Sequence, residues 1–214
     1  MYFLDICSGS QSLKEISDIN LKYIGLDINI DSNPNIHTNL LEWDYKKYFD
    51  ENGNPQFIWF SPPCNEYSLL NNARPNKICD IEGSNKIVSK GLEIIQYCNC
   101  KFIIENPDTG TLKNQGILDD IAYTKVDYCS YGFPYKKRTR LWNNIGLIGE
   151  LCKKKDCEFK VGNRHIYSIG NSSYKTNVKE FSNKKSRLDQ RYAIPPKLLQ
   201  IIKTLVISPS NYFN

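Results

Sequence analysis

The chain has 214 residues, of which 40% are apolar and 24% charged, and its formal net charge is +5. That length fits one domain with a full doubly wound core and little to spare, and the apolar share excludes a disordered polyelectrolyte. No apolar run is long enough to cross a bilayer and no cleavable leader is legible, so a reducing intracellular compartment is expected, with no membrane partner and the eight cysteines as thiols.

In chain order, Tyr2-Phe3-Leu4-Asp5-Ile6 reads as a strand, and Cys7-Ser8-Gly9-Ser10-Gln11-Ser12-Leu13 as the opening of a helix. Tyr23-Ile24-Gly25-Leu26-Asp27 is a second strand that ends in an acid. A glycine at a strand-to-helix turn lets a cofactor approach the backbone, and an acid ending the next strand suits ribose hydroxyls. Asp44 follows a short run led by Ile36, placed to accept from an exocyclic amine. Phe57-Ile58-Trp59 is an apolar strand that stops at Pro62-Pro63, because proline cannot continue the ladder. Cys64 is thereby set at a carboxyl strand end, where open α/β sheets hold their ligands. Free cysteines are mostly structural, and the next strand argues otherwise here. Lys101-Phe102-Ile103-Ile104 runs into Glu105-Asn106-Pro107, which puts a carboxylate on the same rim as the thiol. Between the two, Ile87, Val88, Gly91, Leu92, Ile94, Ile95 and Cys98 recur at helical spacing and predict a crossover helix over Asn85 to Cys98. The polar stretch from Glu66 to Gly83 reads as a long mobile loop able to close over the thiol.

The second half is more basic. Lys136, Lys137, Arg138 and Arg140 crowd one segment, Lys153-Lys154-Lys155 a second, and Lys175, Lys179, Lys184, Lys185, Arg187 and Arg191 a third. Such runs are often plain solvated surface; three of them beside a candidate active site favour phosphate contact. Cys129 ends the strand Val126-Asp127-Tyr128, and Cys152, Cys157 and His165 follow. Three thiolates and an imidazole form a legitimate tetrahedral zinc set, against the competing reading of coincidence in a cysteine-rich chain. The metal would staple a short segment that cannot build its own core. After Pro195-Pro196, Leu198, Leu199, Ile201, Ile202 and Leu205 predict a final helix against the sheet.

Taken in this order, Phe3-Leu4-Asp5 with Gly9, then Asp27, Asp44, Pro62-Pro63-Cys64, Glu105-Asn106-Pro107, Arg138-Thr139-Arg140 and Ala193-Ile194-Pro195-Pro196, the chain resembles the cytosine-C5 DNA methyltransferase family along nearly its whole length. It departs from the family pattern at Gln11 and Ser12, where further glycines are usual, at Asn65, where glutamine is usual, and at Arg191-Tyr192, where a Gly-Asn pair is common. The resemblance implies a Rossmann-like α/β fold, doubly wound on a mostly parallel sheet. It divides the chain into a catalytic domain over 1–142, a small target-recognition region over 143–190 and a returning C-terminal segment over 191–214. It implies S-adenosylmethionine held by Asp5, Gly9, Asp27, Asp44, Phe60 and Pro62, and a monomer acting on DNA whose target cytosine is flipped out. Cys64 would attack C6, Glu105 would hold the N3 and N4 edge, and Arg138 and Arg140 would bind the base carbonyl. The same chemistry on RNA, and a silent DNA-binding or regulatory homologue, are the alternatives. The bias toward Asn, Ile, Lys and Tyr is that of an AT-rich genome, as in a virus or phage.

Overall fold

Short runs of aromatic and β-branched residues form the strands, and each parallel pair needs a crossover that the intervening segments supply. The computed structural model describes residues 1–69, 71, 74, 76–167 and 192–208. Strands β1 (Tyr2–Ile6), β2 (Lys22–Asp27), β3 (Ile36–His37), β4 (Phe57–Phe60), β5 (Lys101–Pro107), β6 (Tyr123–Asp127) and β7 (Arg138–Asn143) build one sheet in the order β3-β2-β1-β4-β5-β7-β6. The first five are parallel, while β7 runs antiparallel between β5 and β6. The expected Rossmann-like architecture is the one observed. Strand order reverses at β1 and β4, so the crevice beyond their carboxyl ends is the switch point where such sheets hold ligands.

Helices cover both faces. Helix α1 (Tyr45–Asn52) and helix α2 (Ile81–Cys98) lie on one side, where Phe49, Val88, Ile94 and Ile95 pack with Leu4, Ile58 and Ile104. Helix α3 (Pro196–Ile207) lies on the other, and its Leu198, Leu199 and Ile202 pack with Phe3, Trp59, Ile103 and Leu141. The predicted return of the last helix toward the first strand is therefore present. Lys101, at the start of β5, secures it by donating from Nζ to the carbonyls of Leu205 (2.9 Å), Val206 (2.9 Å) and Ser208 (2.7 Å), which the helix end leaves without intrahelical partners.

Three local expectations are corrected. The segment after Gly9 forms only a 3-10 turn, Ser12–Ile16, in place of an α-helix. Its apolar residues are just Leu13 and Ile16, Gln11 is left-handed (φ 55°), and no side chain caps the turn, so nothing extends it. Helix α2 begins at Ile81, four residues before the predicted Asn85, because Asp80 accepts from Gly83 N at 2.8 Å and caps it there. The segment expected as a loop from Glu66 to Gly83 already contains the first turn of α2, and its described part is held by contacts: Lys77 pairs with Glu66 at 3.0 Å, Asn71 donates to the Asn65 carbonyl at 2.7 Å, and Tyr67 donates to Asn85 at 2.8 Å.

Beyond β7 a two-stranded hairpin, β8 (Lys160–Val161) and β9 (Arg164–His165), turns at Gly162, whose φ of 60° suits the first residue of a two-residue turn. Lys175, Lys179, Lys184, Lys185, Arg187 and Arg191 of the third basic run lie outside the described residues. Among the described residues no helix is long and apolar enough to cross a membrane.

Candidate active site

Strand register builds the rim. Ile6 pairs with both Leu26 and Phe60, and Phe60 pairs with Ile104, so the next residues along the four strands, Cys7, Asp27, Ser61 and Glu105, form one row at the carboxyl edge. Cys64 stands three residues past that row, after the Pro62-Pro63 turn, and is half-buried. The turn is held to β5 by Asn106, whose Nδ2 donates to the Pro62 carbonyl at 3.1 Å. Asn106 is 1% exposed, so this bond sits in low dielectric and fixes the relation between the Cys64 turn and Glu105.

Lys137 completes the cluster. Its Nζ lies 3.4 Å from Glu105 Oε1 and 4.9 Å from the centre of the Tyr128 ring, and both members of the ion pair are largely shielded from water. Burial alone would pull the lysine down, but Glu105, Tyr128, Tyr135 and Cys64 outweigh it, so its pKa is raised and the side chain stays cationic. Burial pushes the Cys64 thiol up, Glu105 adds to the rise, and Lys137 opposes it. The rim thus holds a resting thiol, a carboxylate and a cation that favours the thiolate.

The two arginines expected beside the thiol have other partners. Arg138 forms a two-pronged pair with Asp127, 3.0 Å from Nε and 2.7 Å from its terminal nitrogen. Arg140 donates to Asp108 at 2.9 Å and stacks 3.9 Å over the Tyr123 ring. Side chains alternate faces along a strand, and Leu141 is paired directly with Glu105, so Leu141, Thr139 and Lys137 share the Glu105 face and Arg138 and Arg140 point to the other. Lys137 is a site member absent from the sequence-based expectation, because its face follows from the pairing of Leu141 with Glu105, which no local pattern announces.

At the β1 turn the structure brings Gly9 and Asp27 together. Asp27 accepts from Gly9 N through Oδ2 and from Asn29 N through Oδ1, both at 2.8 Å. Cys7, Gly9 and Gln11 are alternately left-handed, and a Cβ on Gly9 would have no neighbour nearer than 4.0 Å, so the space above the turn is open to a ligand. The other residues expected around a cofactor are placed differently. Asp5 is 2% exposed and accepts from the Tyr23 hydroxyl at 3.0 Å. Phe60 is wholly buried, its ring filling the space that a side chain on Gly91 of α2 would need. Pro62 gives its carbonyl to Asn106, and Asp44 is an exposed N-cap of α1, accepting from Lys47 N at 3.1 Å.

No family model matches the chain. A curated relative from Frog virus 3 (isolate Goorha), named "Probable DNA (cytosine-5)-methyltransferase", is 32% identical over an alignment covering 73% of this chain and 77% of the relative. The chain belongs to the DNA (cytosine-5)-methyltransferase family. Among solved structures it is similar to the methyltransferase EhMeth of Entamoeba histolytica, at 20% identity and a TM-score of 0.49 with 77% of this chain covered. It is also similar to a Dnmt2 variant of Spodoptera frugiperda, at 18% identity and a TM-score of 0.47 with 71% covered. The chain spans 57% and 55% of those two proteins.

Proposed function

We propose that the protein transfers a methyl group from S-adenosylmethionine to C5 of a flipped-out cytosine in DNA. The observation that carries this reading is the Cys64 turn, pinned by Asn106 to the strand end that bears Glu105, with Lys137 beside it. The Cys64 thiol gives up its proton and its sulfur bonds to C6 of the ring, which makes C5 electron-rich. Glu105 faces the N3 and N4 edge, takes the proton that the thiol gives up and passes it to N3, which keeps negative charge from building on the base. Lys137 holds Glu105 and lowers the cost of the thiolate. After methylation a water molecule takes the C5 proton, the C5–C6 double bond re-forms as the C6–S bond breaks, N3 returns its proton to Glu105, and Cys64 is released as thiolate. Arg138 and Arg140, already engaged with Asp127 and Asp108, stiffen the end of β7 and add positive charge on the opposite face. In the same reading, the space above Gly9, walled by Asp27, takes the cofactor, which supplies an electrophilic methyl group. Residues 143–190 serve as a small target-reading region, whose basic residues contribute phosphate contacts.

The test is labelled cofactor with DNA of mixed sequence, and in parallel with RNA, for wild type and Cys64→Ser. Transfer to DNA and a covalent adduct with 5-fluorocytosine DNA are expected for the wild type only, because a serine hydroxyl is not appreciably ionised at neutral pH. Normal methylation by Cys64→Ser would refute the mechanism. Transfer confined to RNA would move the substrate assignment to the alternative class, and no transfer to either would leave a silent homologue.

A further inference from the structure

Four side chains outside the active site converge beyond the end of β6. Cys129 lies in the 3-10 turn Tyr128–Tyr131, Cys152 and Cys157 flank the 3-10 turn Lys154–Asp156, and His165 ends β9. One ligand atom from each, three sulfurs and a ring nitrogen, all lie within 4.8 Å of one another. His165 Nε2 is 3.6 Å from Cys152 Sγ and 3.5 Å from Cys157 Sγ. A neutral ring nitrogen carries either one proton or one lone pair, so a full two-centre hydrogen bond serves only one of these two approaches. A shared ion accounts for both. With metal–sulfur bonds of about 2.3 Å and metal–nitrogen bonds of about 2.0–2.1 Å, tetrahedral angles put nitrogen and sulfur about 3.6 Å apart and two sulfurs about 3.8 Å apart. We propose that Cys129, Cys152, Cys157 and His165 form a closed structural zinc site.

The neighbourhood explains what such a site would do. The stretch after β7 keeps Ile148 at 87% and Val161 at 75% exposure, and each strand of the β8–β9 hairpin is two residues long, too short to stand without support. Cys152 N donates to Asp127 Oδ2 at 2.9 Å, and Asp127 also grips Arg138, so the ligand cluster is continuous with the β6–β7 ladder. A zinc ion there ties residues 152–165 to the sheet in place of a hydrophobic core. Each cysteine binds as thiolate, so loading releases up to three protons to solvent, and no electron transfer is involved.

The full-length protein, expressed and purified under reducing conditions, should carry about one equivalent of zinc by elemental analysis. Exchange with cobalt(II) should give the strong visible bands of a tetrahedral ion and thiolate-to-cobalt absorption in the near ultraviolet. Cys157→Ser should lower zinc retention at least ten-fold in chelator competition, while Cys79→Ser, outside the cluster, should leave it unchanged. Should Cys157→Ser fail to fold, the cobalt spectrum of the wild type decides alone. A metal-free preparation that takes up no cobalt, a weak octahedral spectrum, or a disulfide between any two of the three cysteines in the reduced preparation would overturn the proposal.

Discussion

Replacing Lys137 with methionine isolates the cation while keeping most of the aliphatic stem. At 3.4 Å the Lys137–Glu105 pair has a gross Coulomb attraction of about 5 kcal/mol at an effective dielectric constant of 20. The side chains are only 14% and 11% exposed, so solvent screening removes little of it. Much of the attraction offsets the desolvation of two charges, but the variant leaves Glu105 buried without its cation, and that orphaned charge sets the penalty. Lys137→Met should therefore lose about 3 kcal/mol in urea unfolding. Adding Glu105→Gln removes the stranded carboxylate, so the double variant should recover about 2 kcal/mol of that loss. A second readout is specific to the site. Lys137 opposes the rise in the Cys64 thiol that burial and Glu105 produce, so without it the thiolate is scarcer and Cys64 alkylation at neutral pH should slow several-fold. A variant with wild-type stability and an unchanged Cys64 alkylation profile would refute the coupling of these three groups.

Burial raises Asp5 to about 8. The folded chain then keeps a proton that the unfolded chain releases above the ordinary carboxylate range, so this contribution to stability is full in acid and is lost as pH rises toward 8. Asp5→Asn mimics the protonated form and should flatten that part of the stability–pH profile; an identical slope in both proteins would count against the buried acid. Asp27→Ala should weaken S-adenosylmethionine binding by about 1–3 kcal/mol in calorimetry, since it removes the acceptor that shapes the Gly9 turn. Asp44→Ala should cost about 1 kcal/mol of stability through the lost helix cap and leave calorimetric cofactor affinity close to wild type. Unchanged affinity in Asp27→Ala would place the cofactor elsewhere.

Much of the sheet is legible in local pattern. β1, β4 and β5 are apolar runs closed by turn chemistry, and the Pro62-Pro63 stop together with Glu105-Asn106-Pro107 locates the rim because proline and strand ends act over a few residues. The arginines show where local reading stops. A basic cluster announces charge, but which members face Glu105 depends on the pairing of β7 with β5, a long-range fact that fixes Leu141 opposite Glu105 and sends Arg138 and Arg140 to the other face. Asp44 reads as a ligand-facing acid after a short strand, and the helix that starts at Tyr45 gives it a second task as a cap, which the sequence pattern did not announce. A strand–glycine–serine opening is common to long and short crossovers alike, so it does not distinguish the Ser12–Ile16 3-10 turn from an α-helix. The four metal-ligating candidates were recognisable by residue type, and their convergence required the fold, since Cys129 and Cys152 come from segments on opposite sides of β7 in the chain.

The grip of Lys101 on the last helix links residues 104 to 107 positions apart in the chain, and this sets the order of events during synthesis. At about 5–20 residues per second, β5 leaves the ribosome roughly 5–20 s before its partner carbonyls exist. Through that interval Phe3, Trp59 and Ile103 have no α3 to cover them, so that face of the nascent sheet is covered only in part, by earlier residues such as Leu13 and Ile16. Release of the final helix is then the event that both seals this face and satisfies the lysine. A ribosome stalled between residues 107 and 196 should hold a chain whose Cys64 rim is already encoded but whose reverse side is an open target for chaperones and for self-association.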